Sequence, residues 1–368
     1  MKQLQLCIDI FKEFHKAMPD IISKMRKTKH FHSTTMSDYH LEDDVWSHTC
    51  LCFNHFINTN KRVYYEQDFL IAIIVSIICH DIGKIYTRKI DVNRVKATFH
   101  SHGYASIQDT INFLYHLNGN GYITDLQNVM NLVLPAVSNH INHYNNTKNK
   151  ELYFNNNEEL REVSKLLSIC DCAGSISNDT NKDVTMPKIR KNIEYNPTLK
   201  TIYLYCGVPG SGKDYIANGT QLPIFSFDNE RIYHYLKNND INNDSKSEVY
   251  KKAFIYCNEN KIDLYKSMKN SIDKIEGDVI ICNTNCNKKA RNRIVSSLGK
   301  ANYICNYVVA PLDIIYKRDE NRYSKNLGPF IINRYSKNLG PFIIDKFAYN
   351  QQIPTTKENF INVNIIIN

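Results

Sequence analysis

The sequence predicts two folded units in series: an all-α helical bundle over about residues 1–177, then an α/β unit with a parallel sheet over 201–352. Three observations lead there. Up to Cys172, glycine-rich turns are absent and apolar residues recur at helical spacing, as in Leu4, Ile8, Phe11 and His15, or Ile71, Ile74, Val75 and Ile78. At Thr201 the pattern changes to a β-branched and aromatic run ending in Gly207-x-x-x-x-Gly212-Lys213, with Tyr215-Ile216-Ala217 beyond it, which reads as strand, glycine loop and helix. Two further apolar runs, within Asp278–Asn285 and over Tyr303–Ala310, suit strands buried on both faces of a parallel sheet.

A chain of 368 residues is long enough for two cores, and 42% hydrophobic with 23% charged residues is ordinary for a globular protein. No run of about 18 consecutive apolar residues predicts a membrane span, and Ile71–Cys79 is too short for one. Eleven cysteines, with neither a secretion signal nor paired Cys-x-x-Cys motifs, predict free thiols in a reducing, cytoplasmic setting. They exclude a zinc ribbon. The net charge of +9 fits a polyanionic partner, although the abundance of Asn, Lys, Ile and Tyr weakens any residue-level reading of it.

In the helical segment the chemistry-bearing residues come at intervals: His48, the adjacent His80-Asp81, His102, His140 and Asp171. His80-Asp81 follows an apolar helix and precedes Gly83 and Lys84. This order of His, His-Asp and Asp resembles the HD phosphohydrolase superfamily over roughly residues 30–175, and Phe99–Gly103 and Ser138–His140 resemble its additional histidine segments. The resemblance implies that His48, His80, Asp81 and Asp171 hold one divalent metal. By the same resemblance His102 and His140 hold a second metal or contact phosphate, and Lys84 stabilises developing charge. Mixed imidazole and carboxylate ligation admits manganese, iron, cobalt, nickel or zinc. The implied reaction is metal-assisted phosphoester hydrolysis. Asp43, Asp44, His30, His32, His40, His100 and His143 read as surface or outer residues, with His143 the alternative to His140.

Residues 178–200 turn polar, with Pro187, Pro197 and the basic cluster Lys188–Lys191, and read as a linker. In the glycine loop, Gly207, Gly210, Ser211 and Gly212 would turn backbone N–H groups toward phosphate oxygens, and Lys213 would reach the outer phosphates. Downstream, a short strand delivers Asp228 and, nearly one helical turn on, Arg231. One helical stretch is expected over about 248–274, followed by the run ending Asn283-Thr-Asn285 and a basic segment, Leu312–Arg322, carrying Lys317, Arg318 and Arg322.

The order of strand, glycine loop, Asp-x-x-Arg, Asn-Thr-Asn and basic lid resembles the 5′-hydroxyl polynucleotide kinase family over roughly 200–350. That implies ATP or another nucleoside triphosphate with Mg2+, Asp228 as base, Arg231 on the substrate's phosphate and Arg322 over the transferring phosphoryl group. Two positions depart from the family. Asp214 stands where a Ser or Thr hydroxyl faces magnesium, and Asn283 where an aspartate is usual. Either the metal-facing carboxylate has moved from strand to loop, the preferred reading, or the kinase site is degenerate.

Asn321–Ile332 is repeated without change as Asn333–Ile344, which is a duplication and not a repeat fold. It makes Arg334 a competitor of Arg322, and Arg322 is preferred because its upstream spacing is undisturbed. Residues 353–368 read as a tail. The two resemblances together imply a bifunctional end-healing enzyme that removes cyclic or terminal phosphates and phosphorylates 5′-hydroxyl ends. RNA is favoured over DNA, a separate ligase seals, and no membrane is involved. The alternative is a nucleotide or cyclic-nucleotide phosphohydrolase whose C-terminal half binds nucleotide without catalysis.

Overall fold

The computed structural model describes residues 2–30, 42–60, 63–91, 96–143, 151–152, 157–176, 188–189, 193–239, 246–324 and 340–368. The chain divides into two compact units. Met1–Lys191 with Tyr349–Ile353 form one, and Asn192–Ala348 with Pro354–Asn368 the other. His32, His40, Arg334 and most of the sequence linker and the duplication lie outside the described residues, as do the side chains of His143 and Arg322.

The first unit is helical: α1 Lys2–Ala17, α2 Pro19–Lys27, α3 Val45–Thr59, α4 Gln67–Cys79, α5 Lys84–Thr87, α6 His102–Ala105, α7 Ile107–Gly119, α8 Leu126–Asn139 and α9 Glu158–Gly174. Its axis is α4, in which every residue from Leu70 to Cys79 is buried, because α3, α8 and α9 cover it on different sides. A helix apolar on all faces needs such neighbours. The stretch Gln67–Thr87 is long and apolar enough, by length and composition alone, to cross a membrane, but 83% of its apolar window is buried inside the unit, as a core helix would be. Side-chain oxygens of Asp44, Asp125 and Asn157 accept from the backbone N–H three residues on and start α3, α8 and α9. A short antiparallel ribbon, Lys89–Asp91 with Lys96–Thr98, interrupts the all-α expectation.

The second unit contains one five-stranded sheet: β1 Thr201–Cys206, β2 Ile224–Phe225, β3 Val279–Cys282, β4 Asn302–Val309 and β5 Asn362–Ile367. Their spatial order is β2-β3-β1-β4-β5 and every pairing is parallel. Around it run α10 Lys213–Asn218, α11 Phe227–Asn238, α12 Lys246–Glu259, α13 Leu264–Asp273, α14 Lys288–Leu298, α15 Leu312–Ser324 and α16 Gly340–Ala348. The central β1 has β3 on one side and β4 on the other, so the chain's path reverses direction across it. In open parallel sheets the crevice beyond the carboxyl ends at such a point receives ligands. The glycine loop leaves β1 at that place.

Two sequence expectations change here. The single helix over 248–274 is two, because Lys261 takes a left-handed conformation with φ 51° and Asp263 caps α13 by accepting from Tyr265 and Lys266 N–H. The supposed tail supplies β5, whose Val363 and Ile365 are buried while alternate residues are only partly so. Its run of Val363, Ile365, Ile366 and Ile367 is β-branched, and its place at the edge of the sheet comes from parallel pairing with β4.

Arg291 of α14 is fully buried and meets Glu358 in a bidentate pair, Nε to Oε2 at 2.8 Å and Nη2 to Oε1 at 3.0 Å. Its Nη1 also donates to Asn285 O at 3.1 Å, and Glu358 Oε1 accepts Thr355 N–H. The loop after β3, α14 and the approach to β5 are thus tied at one charge pair. Breaking such a pair strands a buried charge. Glu358→Gln is expected to cost the α/β unit about 3–5 kcal/mol in urea unfolding, whereas Arg291→Met combined with Glu358→Leu should recover most of that loss.

Candidate functional site

The apolar α4 ends where His80 and Asp81 begin, so its packing delivers both side chains into the buried interior, His80 at 0% and Asp81 at 1% exposure. Gly83 permits the next turn. A Cβ there would lie 2.0 Å from His102 O, while Gly83 N–H donates to Ser106 Oγ and Ser106 Oγ donates to His80 O. This cross-link brings the segment carrying His102 against His80-Asp81. α8 ends at His140, α3 supplies His48 one turn inside its start, and α9 supplies Asp171 near its end.

The six predicted side chains converge. His102 Nε2 lies 3.0 Å and His140 Nε2 3.6 Å from Asp81 Oδ1, and His80 Nε2 3.4 Å and His48 Nε2 3.7 Å from Asp81 Oδ2. Asp171 Oδ1 is 3.0 Å from His48 Nε2 and 3.6 Å from His80 Nε2. The rings are held from behind. His80, His102 and His140 each place Nδ1 at 2.7–2.8 Å from a carbonyl three residues back, of Ile77, Phe99 and Val137, and His48 Nδ1 lies 2.9 Å from Glu42 Oε1. A ring whose Nδ1–H donates outward presents an Nε2 lone pair inward, which is how metal-binding imidazoles are oriented.

That arrangement fits a cation. His102 and His140 bring their Nε2 atoms within 3.0 Å of each other, and His80 Nε2 makes no hydrogen bond of acceptable geometry although two carboxylates stand near. Two groups of candidate ligand atoms lie mutually within 4.8 Å: His48, Cys52, His80 and Asp171, and separately Asp81, His102 and His140. Lys84 is buried, with Nζ 2.7 Å from Asp81 Oδ2, 3.3 Å from His30 Nε2 and over the Phe99 ring. His30 is therefore buried and not a surface residue, whereas His100 is exposed and Asp44 caps α3.

Burial presses the His80 pKa down, but the Asp81 and Asp171 carboxylates outweigh it and push it up to about 10. Burial raises both carboxyls, yet Lys84 and His80 hold Asp81, and His80 and His48 hold Asp171, well below the usual range. His102 is lowered, by burial first. Glu42 and Cys52 are the members that sequence reading missed. Glu42 is hidden in the acidic run Glu42-Asp-Asp44, while Cys52 stands four residues after His48, a spacing that puts both on one helix face.

In the second unit Gly207, Gly210 and Gly212 take positive φ of 155°, 89° and 92°. Only glycine fits: a Cβ would lie 2.4 Å from Val308 O at Gly207 and 2.8 Å from Ile315 Cγ2 at Gly210. Ser211 is fully buried, and Lys213 is buried with Nζ 3.4 Å from Asp214 Oδ2. Asp214 is largely exposed, and its Oδ1 accepts from Cys282 Sγ at 3.2 Å, which places it at the end of β3. Asn283 turns its Oδ1 to Phe227 N–H at 3.0 Å, the first residue of α11. Asp228 and Arg231 share one face of α11, with Nη1 2.6 Å from Oδ1.

Burial first, then the charges of Asp228 and Asp214, raises the Tyr250 pKa, so one phenol senses both carboxylates. From α15, Arg318 donates to Gly210 O and Ser211 O at 3.3 and 3.0 Å. Asn368 Nδ2 also donates to Ser211 O, at 2.9 Å. Arg318 belongs to the basic lid segment expected from sequence, whereas Asn368, just beyond β5, carries no sequence signal for this contact.

No family model matches the chain, and no curated protein does. Among solved structures, a Chloroflexus aurantiacus protein described provisionally as a kinase is similar at 14% identity and a TM-score of 0.30, covering 46% of this chain and 88% of that one. The fold and the cluster define the class more firmly: a mostly helical chain with a five-stranded parallel sheet and a buried His/Cys/Asp cluster suited to a metal.

The charges of the cluster make the metal-free protein pH-sensitive in both directions. A histidine whose pKa is raised on folding stabilises fully below its unfolded value near 6.5 and loses that contribution as pH climbs toward 10. Depressed carboxyls stabilise above about 4 and lose that contribution as pH falls. Chelator-treated protein is expected to show its highest Tm at about pH 5–6, with a decline on both sides in thermal melts. Gly83→Ala should cost about 1–3 kcal/mol by overpacking and lower the metal retained after dialysis, read by elemental analysis.

Proposed function

We propose that the chain heals nucleic-acid ends, with RNA the favoured substrate. The helical unit acts as an HD-type phosphohydrolase that removes 2′,3′-cyclic or terminal phosphates. The α/β unit phosphorylates 5′-hydroxyl ends with ATP and Mg2+, and a separate ligase completes sealing. One observation carries the reading: four inward-facing imidazole edges meet two buried carboxylates in the chain order His, His-Asp, Asp.

His48, His80 and Asp171 would hold a divalent cation toward which Asp81 turns Oδ2, and Asp81 Oδ1 with His102 and His140 would be available to a second. Such a cation supplies Lewis acidity toward phosphate oxygens and lowers the pKa of water. The chain supplies the rest. Backbone carbonyls and Glu42 fix the ring orientations, and Lys84 brings a positive charge beside Asp81 for phosphate oxygens to share.

Phosphoryl transfer needs mainly positioning and charge neutralisation. Lys213 and the loop N–H groups would hold the outer phosphates, Asp228 would take the proton of the 5′-hydroxyl, and Arg231 would grip the substrate's phosphate. The Asp214 and Asn283 exchange is read as relocation. Asn283 Oδ1 is engaged by Phe227 N–H, while the Asp214 carboxylate reaches the end of β3. The second reading, a nucleotide phosphohydrolase with a non-catalytic C-terminal unit, draws on the same Asp214, because an anion 3.4 Å from the phosphate-binding lysine competes with nucleotide.

Purified protein given Mn2+, Mg2+, ATP and an RNA with 5′-hydroxyl and 2′,3′-cyclic phosphate ends is expected to change both ends. His80→Ala should slow only the 3′ step, and Lys213→Ala only the 5′ step, each by about 100-fold or more. Unchanged ends alongside hydrolysis of free nucleotide would reject end healing in favour of the second reading.

A further inference from the structure

We infer that Cys52 is a thiolate ligand of the cation position formed with His48, His80 and Asp171, so that the helical unit has one soft position beside a harder one at Asp81, His102 and His140. The inference rests on the reading of this cluster as a metal centre, and it goes on to say which metal the centre selects. Neither the HD-like order of residues nor the mixed imidazole and carboxylate set makes that choice.

Cys52 follows His48 by four residues on α3, so both side chains leave the same face one turn apart. It is 0% exposed, and its Sγ stands 3.4 Å from His48 Nε2. The other contacts in this group are 3.0 Å between His48 Nε2 and Asp171 Oδ1, and 3.6 Å between His80 Nε2 and Asp171 Oδ1. A tetrahedral shell with metal–nitrogen, metal–oxygen and metal–sulfur bonds of about 2.0–2.3 Å has donor–donor edges of about 3.3–3.7 Å. These three separations are near that size, and all four donor atoms lie within 4.8 Å of one another.

A plain S–H···N hydrogen bond from Cys52 to His48 is the competing explanation, and the surroundings disfavour it. If His48 Nε2 carries a proton, that proton points to the Asp171 carboxylate at 3.0 Å and the nitrogen has no lone pair for the thiol. If Nε2 is bare, its lone pair faces the carboxylate oxygen at that same distance with nothing positive between them. A cation among the four donors gives the sulfur a partner in the first case and separates the two lone pairs in the second. The thiol is also confined, since a Cβ on Gly174 of α9 would lie 2.4 Å from Cys52 Sγ and 2.9 Å from Cys52 N. Gly174 stands three residues beyond Asp171, so the helix that brings the carboxylate also lies directly against the sulfur.

On binding, the thiol proton leaves to solvent as the metal–sulfur bond forms. A set of two imidazoles, one carboxylate and one thiolate favours zinc, iron(II) or cobalt(II) over manganese or magnesium, because thiolate is a soft ligand. Asp81, His102 and His140 lack sulfur and carry no such preference.

The test is X-ray absorption on full-length protein loaded with cobalt(II) or zinc alone. The expected result is a sulfur scatterer at about 2.3 Å and, for cobalt, a near-ultraviolet thiolate charge-transfer band. Both should vanish in Cys52→Ser and persist in Cys170→Ser, whose thiol neighbours Asp171 in sequence. Zinc affinity in Cys52→Ser should fall by at least about tenfold, the lower end seen for partners that touch a metal only through its ligands. A shell of nitrogen and oxygen only in the wild-type protein overturns the inference and leaves the metal centre standing. Failure of the wild-type protein to retain either metal overturns both. Persistence of the sulfur signal in Cys52→Ser assigns it elsewhere and also overturns the inference.

Discussion

A charge taken out of water must find an opposite charge, and each unit is arranged around one place where this happens. In the helical unit it is Asp81, a carboxylate at 1% exposure surrounded by Lys84 and the inward edges of four imidazoles. In the α/β unit it is Arg291, at 0% exposure, paired bidentately with Glu358. An isolated ion in either place would cost several kcal/mol or would neutralise itself. The pairs are thus conditions for the packing around them. The second also fixes geometry, since Glu358 accepts from Arg291 and from Thr355 N–H together.

The two centres use this constraint differently. Arg291 and Glu358 satisfy each other with good geometry and leave nothing for a ligand, so their consequence is to hold the loop after β3, α14 and β5 together. The Asp81 centre is charge-rich but poorly satisfied by hydrogen bonds, with imidazole nitrogens facing one another and facing carboxylates. Such a half-satisfied network is unfavourable by itself and becomes favourable with a cation in it. This contrast separates a structural ion pair from a candidate site within one chain.

The glycine loop after β1 is organised by sterics more than by charge. Its three glycines occupy conformations and spaces closed to any side chain, against β4 at Gly207 and α15 at Gly210. The carbonyls of Gly210 and Ser211 are taken up by Arg318, and that of Ser211 also by Asn368, which sets the loop's backbone. Asn283 contributes at a distance, since its carbonyl oxygen caps the start of the helix bearing Asp228 and Arg231. A residue that looks like a lost metal ligand in sequence thereby acquires a positioning contact.

Local pattern was enough to read much of this from the sequence. Helical periodicity, the strand-loop-helix signature and the adjacent His80-Asp81 are short-range features, because backbone propensity and side-chain spacing act over a turn or a few residues of strand. Spacing also placed Asp228 and Arg231 on one helix face. What sequence left open was every decision that depends on elements distant in the chain. The break at Lys261, β5 from an apparent tail, and the burial of Gln67–Thr87 each depend on what packs alongside. Glu42 behind His48, Cys52 beside Asp171, and Arg318 on the loop carbonyls are meetings of side chains that only the tertiary arrangement brings about. The sequence by itself determined which residues could carry chemistry. Folding decided which of them share a donor shell, because ligand contacts depend on separations of a few ångströms that chain spacing does not encode.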